Sequence, residues 1–126
     1  MNINIYAIGQ VPVVALSGAL DGPAAIEVRD KINELLPLHE SVVIDLSGTT
    51  CVSSASLRTM LLIYRQAQAL GRTVAVVGLT PEVHNVLDAT GFLDFFVVAG
   101  SVDDGAVAAS ARAEEGLNRE HALSGS

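Results

Sequence analysis

Apolar and polar residues alternate at the start of the chain. Ile3, Ile5 and Ala7 stand between Asn2, Asn4 and Tyr6. A period of two is the pattern of a half-buried strand. Gly9 and Gln10 turn the chain, and residues 11–16 form a second apolar run. The short connection predicts a hairpin. Pro12 is expected near the start or an edge of its strand, because it has no N–H for the ladder.

The period then changes. After Asp21-Gly22-Pro23, the residues Ala25, Val28, Ile32 and Leu35 recur at spacings of three and four. That is the buried stripe of a helix. Pro23 costs no hydrogen bond in a first turn, and Pro37 ends the helix. Residues 41–46 read as a buried strand running into a turn. A helix is predicted over 54–70, with Gly71 at its end. Residues 73–77 form a further strand. Thr80-Pro81-Glu82 opens a third helix with a hydroxyl cap, a first-turn proline and an acid facing the helix dipole. Val83, Val86 and Leu87 are expected to point inward from it, and Gly91 to stop it. Residues 95–98 are the last predicted strand. Ser101 to Asp104 resembles a capping box with Asp in place of Glu, ahead of an Ala-rich helix. The apolar stripe fades beyond about Glu114, so a domain over 1–113 and a loose tail over 114–126 are expected.

The predicted order is β-β-α-β-α-β-α-β-α. Strands alternating with helices imply right-handed crossovers and a mostly parallel sheet. The initial hairpin makes it mixed. The fold class is therefore α/β, with a mixed sheet packed by four helices.

Composition sharpens this picture. The chain has 126 residues, half of them hydrophobic and few aromatic. It suggests one domain with an aliphatic core. Seven Lys and Arg against fourteen Asp and Glu give a net charge of −7. No basic stripe is present, which argues against nucleic-acid binding and against docking on anionic lipid. No apolar run approaches the roughly 20 residues of a membrane span, so no membrane insertion is expected. No secretory signal is visible at the N-terminus. Cys51 is the single cysteine, which fits a reducing, cytoplasmic setting.

Enzyme chemistry is poorly supported. The chain has no Walker-type loop, no dinucleotide fingerprint and no Gly-x-Ser-x-Gly elbow. His39, His84 and His121 lack metal-ligand spacing and read as solvated bystanders. No cofactor is implied. Cys51 lies beside Val52 and reads as a buried, inert thiol. Asp21 and Asp45 each end a strand, where ligand sites of α/β folds gather. Each also has a purely structural reading: a helix cap for Asp21 and an Asx-type turn for Asp45.

The segment of most interest is Ser53-Ser54-Ala55-Ser56-Leu57-Arg58. Three hydroxyls sit where a helix has unpaired N–H groups and a partial positive charge. One hydroxyl suffices for a cap. The others are available for another purpose, and a helix start is a natural place for a phosphate.

Three motifs carry a resemblance. Leu16-Ser17-Gly18-Ala19-Leu20-Asp21, then Asp45-Leu46-Ser47-Gly48 with the serine cluster, then Thr80-Pro81-Glu82-Val83 with Thr90-Gly91-Phe92 occur in that order. The chain resembles the STAS domain family over about residues 2–112, and among its members the stand-alone bacterial anti-sigma factor antagonists. Ser53 stands where that family usually has Asp, and Ser56 where it has Gly. The resemblance implies Ser54 as phosphoacceptor, with Ser53 and Ser56 as lesser candidates. It implies a partner-binding surface of Asp21, Gly22, Ser53, Ser54, Ser56, Leu57 and Arg58. The implied partners are an anti-sigma factor serine kinase, which the unmodified protein would bind so as to release a sigma factor, and a serine phosphatase. The protein would have no catalytic role of its own. The alternatives are a STAS subunit of a phospholipid-transport ABC complex, a small nucleotide-binding enzyme, and a scaffold in a larger signalling complex.

Overall fold

The computed structural model of the protein describes residues 1–111. Strand β1 (Asn2–Ile8) and strand β2 (Val11–Leu20) form the hairpin. Helix α1 (Gly22–Leu35) follows, then a short 3-10 turn and strand β3 (Ser41–Val52). Helix α2 (Ser54–Ala69), strand β4 (Thr73–Val77) and helix α3 (Pro81–Ala89) come next. A 3-10 turn over Phe92–Phe95 leads into strand β5 (Val97–Ala99). Helix α4 begins at 102 and runs to the end of the described residues. His121 and the tail expected over 114–126 lie outside those residues.

The five strands form one sheet in sequence order, β1-β2-β3-β4-β5. Only the β1–β2 pairing is antiparallel, and the other three are parallel. The mixed sheet expected from the hairpin and the crossovers is therefore the one observed. One face packs against α1, α2 and α3 through Val14, Leu16, Ile44, Val76, Val28, Ile63 and Leu87. The other face carries a smaller cluster in which Ala106 and Ala109 of α4 cover Val13, Val43, Ala75 and Val77. Gly105 lets α4 approach closely, since a Cβ there would collide with Val77 Cγ1.

The local signals read from the sequence act as expected at each helix start. Asp21, Ser53, Thr80 and Ser101 each accept a backbone N–H three residues on. Pro12 sits at the start of β2, before its ladder with β3 begins at Val13.

Four expectations need correction. Residues 11–16 and 41–46 mark only the first parts of β2 and β3, which run on to Leu20 and Val52. Ile5 is exposed although it alternates as a core residue, because β1 is an edge strand. Val86 does not point inward: Val83 and Leu87 alone carry the buried side of α3. Phe95 is not in the last strand. It belongs to the 3-10 turn, where it meets Tyr64 with ring centroids 5.3 Å apart, and the strand begins at Val97.

Candidate functional site

The extra length of β2 and β3 builds the site. Strand β4 pairs with β3 only as far as Asp45, and β1 pairs with β2 only as far as Ser17. Beyond those points β2 and β3 continue as a pair, ending with Leu20 opposite Val52. The result is a two-stranded spur standing clear of the rest of the sheet. Its register shifts twice, and each time β3 carries the extra residue. These are β-bulges, which bend a strand and re-aim its side chains. At the first, the Asp45 carboxylate accepts the Ser47 N–H at 2.9 Å. Gly48 is needed there, because a Cβ would lie 2.8 Å from the Leu16 carbonyl oxygen. Asp45 thus has the Asx-type role, inside a strand rather than at its end.

The spur brings two helix starts together. Asp21 follows β2 and caps α1 by accepting the Ala24 N–H at 2.9 Å. Ser53 follows β3, and its N–H donates to the Leu20 carbonyl at 3.1 Å. A Cβ on Gly22 would stand 3.4 Å from that of Ala55, so the first turns of α1 and α2 are in contact distance. Two positive helix ends therefore face the same solvent region.

The three serines have three different environments. Ser53 is the cap: its hydroxyl oxygen accepts the Ser56 N–H at 3.1 Å. Ser56 is 0% exposed, and its hydroxyl donates to the Ser53 carbonyl at 2.7 Å. Ser54 is exposed at the first helical position and takes no part in these bonds. Burial removes Ser56, expected as a lesser acceptor and contact residue, from the accessible hydroxyls of this structure. Its small size in the first turn serves packing. Leu57 is half-buried against the main core, whereas Arg58 is exposed one turn beyond Ser54. Asp21 is exposed and Gly22 half-buried.

Cys51 reverses its expectation. It is exposed on the spur, two residues before the cap. Its apolar neighbour Val52 suggested burial, but alternation along an unsupported strand turns Cys51 outward with its pairing partner Ala19. Ala19, Thr50 and Cys51 are exposed beside the serine turn. The sequence does not single out Ala19 and Thr50, because residues 47–50 have the composition of a turn and β2 is expected to end before Ala19.

The described residues hold no group of three His, Cys, Asp or Glu placed to bind a metal. No described helix is long and apolar enough to cross a membrane. A cleft of about 590 Å³ lies at the other end of the sheet, lined by Gln10, Val11, Leu38, His39, Glu40, Ser41 and Ser110. No expected site residue lines it.

A mixed sheet with helices on both faces, carrying an exposed hydroxyl at a helix start on the far end of a β2–β3 spur, defines a small α/β domain. The family model of the STAS domain matches residues 2–105. The chain belongs to the STAS domain family. It is 28% identical over 109 residues to BtrV of Bordetella bronchiseptica, a protein assigned as an anti-sigma factor antagonist. The match spans 86% of this chain and 94% of that protein. An anti-sigma factor antagonist from Mycobacterium paratuberculosis has the same fold, with a TM-score of 0.76 and 23% identity over 86% of this chain and 93% of that one. The Bacillus cell-fate determinant SpoIIAA in its phosphorylated form also shares the fold. Its TM-score is 0.63 and its identity 16%, over 82% of this chain and 95% of that one.

Proposed function

We propose that this protein is an anti-sigma factor antagonist whose partner binding is controlled by phosphorylation of Ser54. The observation that carries the reading is the division of labour at the start of α2. Ser53 caps the helix and Ser56 is buried, which leaves Ser54 as the exposed hydroxyl of the three. The relatives support the class of partner: BtrV is assigned as an antagonist of this kind, and SpoIIAA is known in a phosphorylated form. In this reading the unmodified chain binds an anti-sigma factor with serine kinase activity through Asp21, Gly22, Ser53, Ser54 and Arg58. The sigma factor is released, the kinase ends the complex by phosphorylating Ser54, and a serine phosphatase resets it. The antagonist acts in the cytoplasm by binding and catalyses nothing itself.

Magnitudes favour a switch over an unfolding event. A phosphate adds about −1.5 to −2 charges. At a helix N-terminus the fold gains about 0.3–1 kcal/mol from it. At a closed interface the same anion, left unpaired, costs several kcal/mol of desolvation. Each 1.4 kcal/mol is about tenfold in affinity, so the interface term dominates. The test is calorimetry against the cognate kinase with wild type, Ser54→Ala and the phosphorylated protein. Wild type and Ser54→Ala are expected to bind alike, and the phosphorylated form at least about 100-fold more weakly. Equal affinities, or phosphate found only elsewhere, would overturn Ser54 as the switch. Recovery of a transporter ATPase in place of a kinase would favour the ABC-complex subunit.

A further inference from the structure

We propose that the outer edge of β1 is a self-association surface, on which a second copy of this chain pairs its own β1 antiparallel about Ile5. The inference is independent of the role of Ser54. Strand β1 is at one edge of the sheet, with a described neighbour only in β2. Alternate backbone N–H and C=O groups along it therefore point away from the sheet. Such an edge is a template for another strand unless it is blunted by charge, proline, a bulge or brevity, or covered by another segment. Among the described residues none of these devices is present. Residues 2–8 read Asn-Ile-Asn-Ile-Tyr-Ala-Ile, without a charge or a proline. All seven residues pair with β2 in unbroken register, so no bulge turns the edge aside. The opposite edge is protected by length, since β5 has three residues.

The side chains identify the partner as a second copy. Ile3 packs against the core covered by α1, α2 and α3, so Ile3, Ile5 and Ala7 share that face, and Asn2, Asn4, Tyr6 and Ile8 share the face covered by α4. Ile5 is 42% exposed and Tyr6 40%, both large for an unpartnered edge. A two-fold axis through Ile5 sets Ile5 against Ile5, Ile3 against Ala7, Asn4 against Tyr6 and Asn2 against Ile8. Apolar residues then meet on the face packed by α1, α2 and α3, and Asn meets Tyr and Ile on the other. The seam holds no charge, although each chain carries −7. The repulsion between the two chains acts from outside it and is screened beyond about 8 Å at physiological salt. The product is a continuous ten-stranded sheet. The antiparallel pairing places the two Ser54 ends at opposite ends of it, so neither site is covered. One strand pair buries little area, and the association is weak and reversible.

Two experiments test this. The first is sedimentation of the chain from about 10 micromolar to about 1 millimolar, the range of weak interfaces. A rise in mass toward a dimer is expected for wild type. Ile5→Lys should remain a monomer throughout, with an unchanged circular dichroism melt. The second uses the symmetry: residues facing themselves across a strand pair have Cβ atoms about 4.5–5.5 Å apart, close to disulfide reach. In a Cys51→Ser background, Ile5→Cys should oxidise to a covalent dimer at least about tenfold faster than Leu62→Cys, which is exposed on α2. A wild-type monomer at the highest concentration, or equal oxidation of the two cysteine variants, would overturn the proposal. So would a dimer that survives Ile5→Lys.

Discussion

Helices α2 and α3 both start at the end of the sheet where the parallel strands finish, yet they start differently. Helix α3 is complete by itself. Thr80 accepts the Val83 N–H at 3.3 Å, Pro81 fills the first position, and Glu82 places a negative charge in the first turn. Helix α2 has a cap of the same kind, with Ser53 accepting the Ser56 N–H at 3.1 Å, but its first turn has no acid. The position where an acid would complement the dipole carries the exposed Ser54. One helix has its charge built in. The other has no acid in its first turn and presents an exposed hydroxyl there. Under the proposed function that hydroxyl is where a charge is added, and the difference then separates a start made for stability from a start made for change.

The largest effect that could break this comparison lies inside α2. Ser56 is buried with its hydroxyl 2.7 Å from the Ser53 carbonyl oxygen, so Ser56→Asp would put a carboxylate out of solvent and against that oxygen. Urea unfolding should show a loss of about 3–5 kcal/mol, the usual cost of an unpaired buried charge. A loss below about 1 kcal/mol would mean that the turn opens readily, and that Ser56 is within reach of a kinase after all. Next in size are the caps. Ser53→Ala and Thr80→Ala should each cost about 0.5–2 kcal/mol, because the two hydroxyls do the same work. A neutral Ser53→Ala would shift the capping role to a neighbouring serine.

The smaller predictions sharpen the comparison by their sign. Ser54→Asp should stabilise the fold by about 0.3–1 kcal/mol, and Glu82→Gln should destabilise it by a similar amount. Both changes should shrink in about 1 M salt, where the screening length is about 3 Å. Thermal melts at low and high salt measure both. Destabilisation by Ser54→Asp would show that the start of α2 is not open to added negative charge. Smallest of all, Ser54→Ala should change stability by no more than about 0.5 kcal/mol, since it makes no bond at the turn.

The sequence alone determined the features that arise within a few residues of chain. The change of period from two to three-and-four separated the hairpin from the helices, and the caps at Asp21, Thr80 and Ser101 form where their residues predict, while Ser53 takes the α2 cap that the sequence left open between Ser53 and Ser54. A cap is a bond across three residues, so neighbours in the sequence suffice to specify it. Only the tertiary structure decided which side chains face water. Residues 47–50 look like a turn, but pairing with β2 holds them in a bulged strand, and that strand exposes Cys51. Three serines stand together in the chain, yet packing in the first turn buries Ser56 and leaves Ser54 in solvent. Ile5 alternates like a core residue but lies on an edge, and Val86 falls on the helical stripe of α3 but beyond what that short helix can bury. The physical reason is common to all of these. Backbone conformation is set largely by local bonds, whereas exposure depends on which strands and helices become neighbours, and those neighbours come from distant parts of the chain.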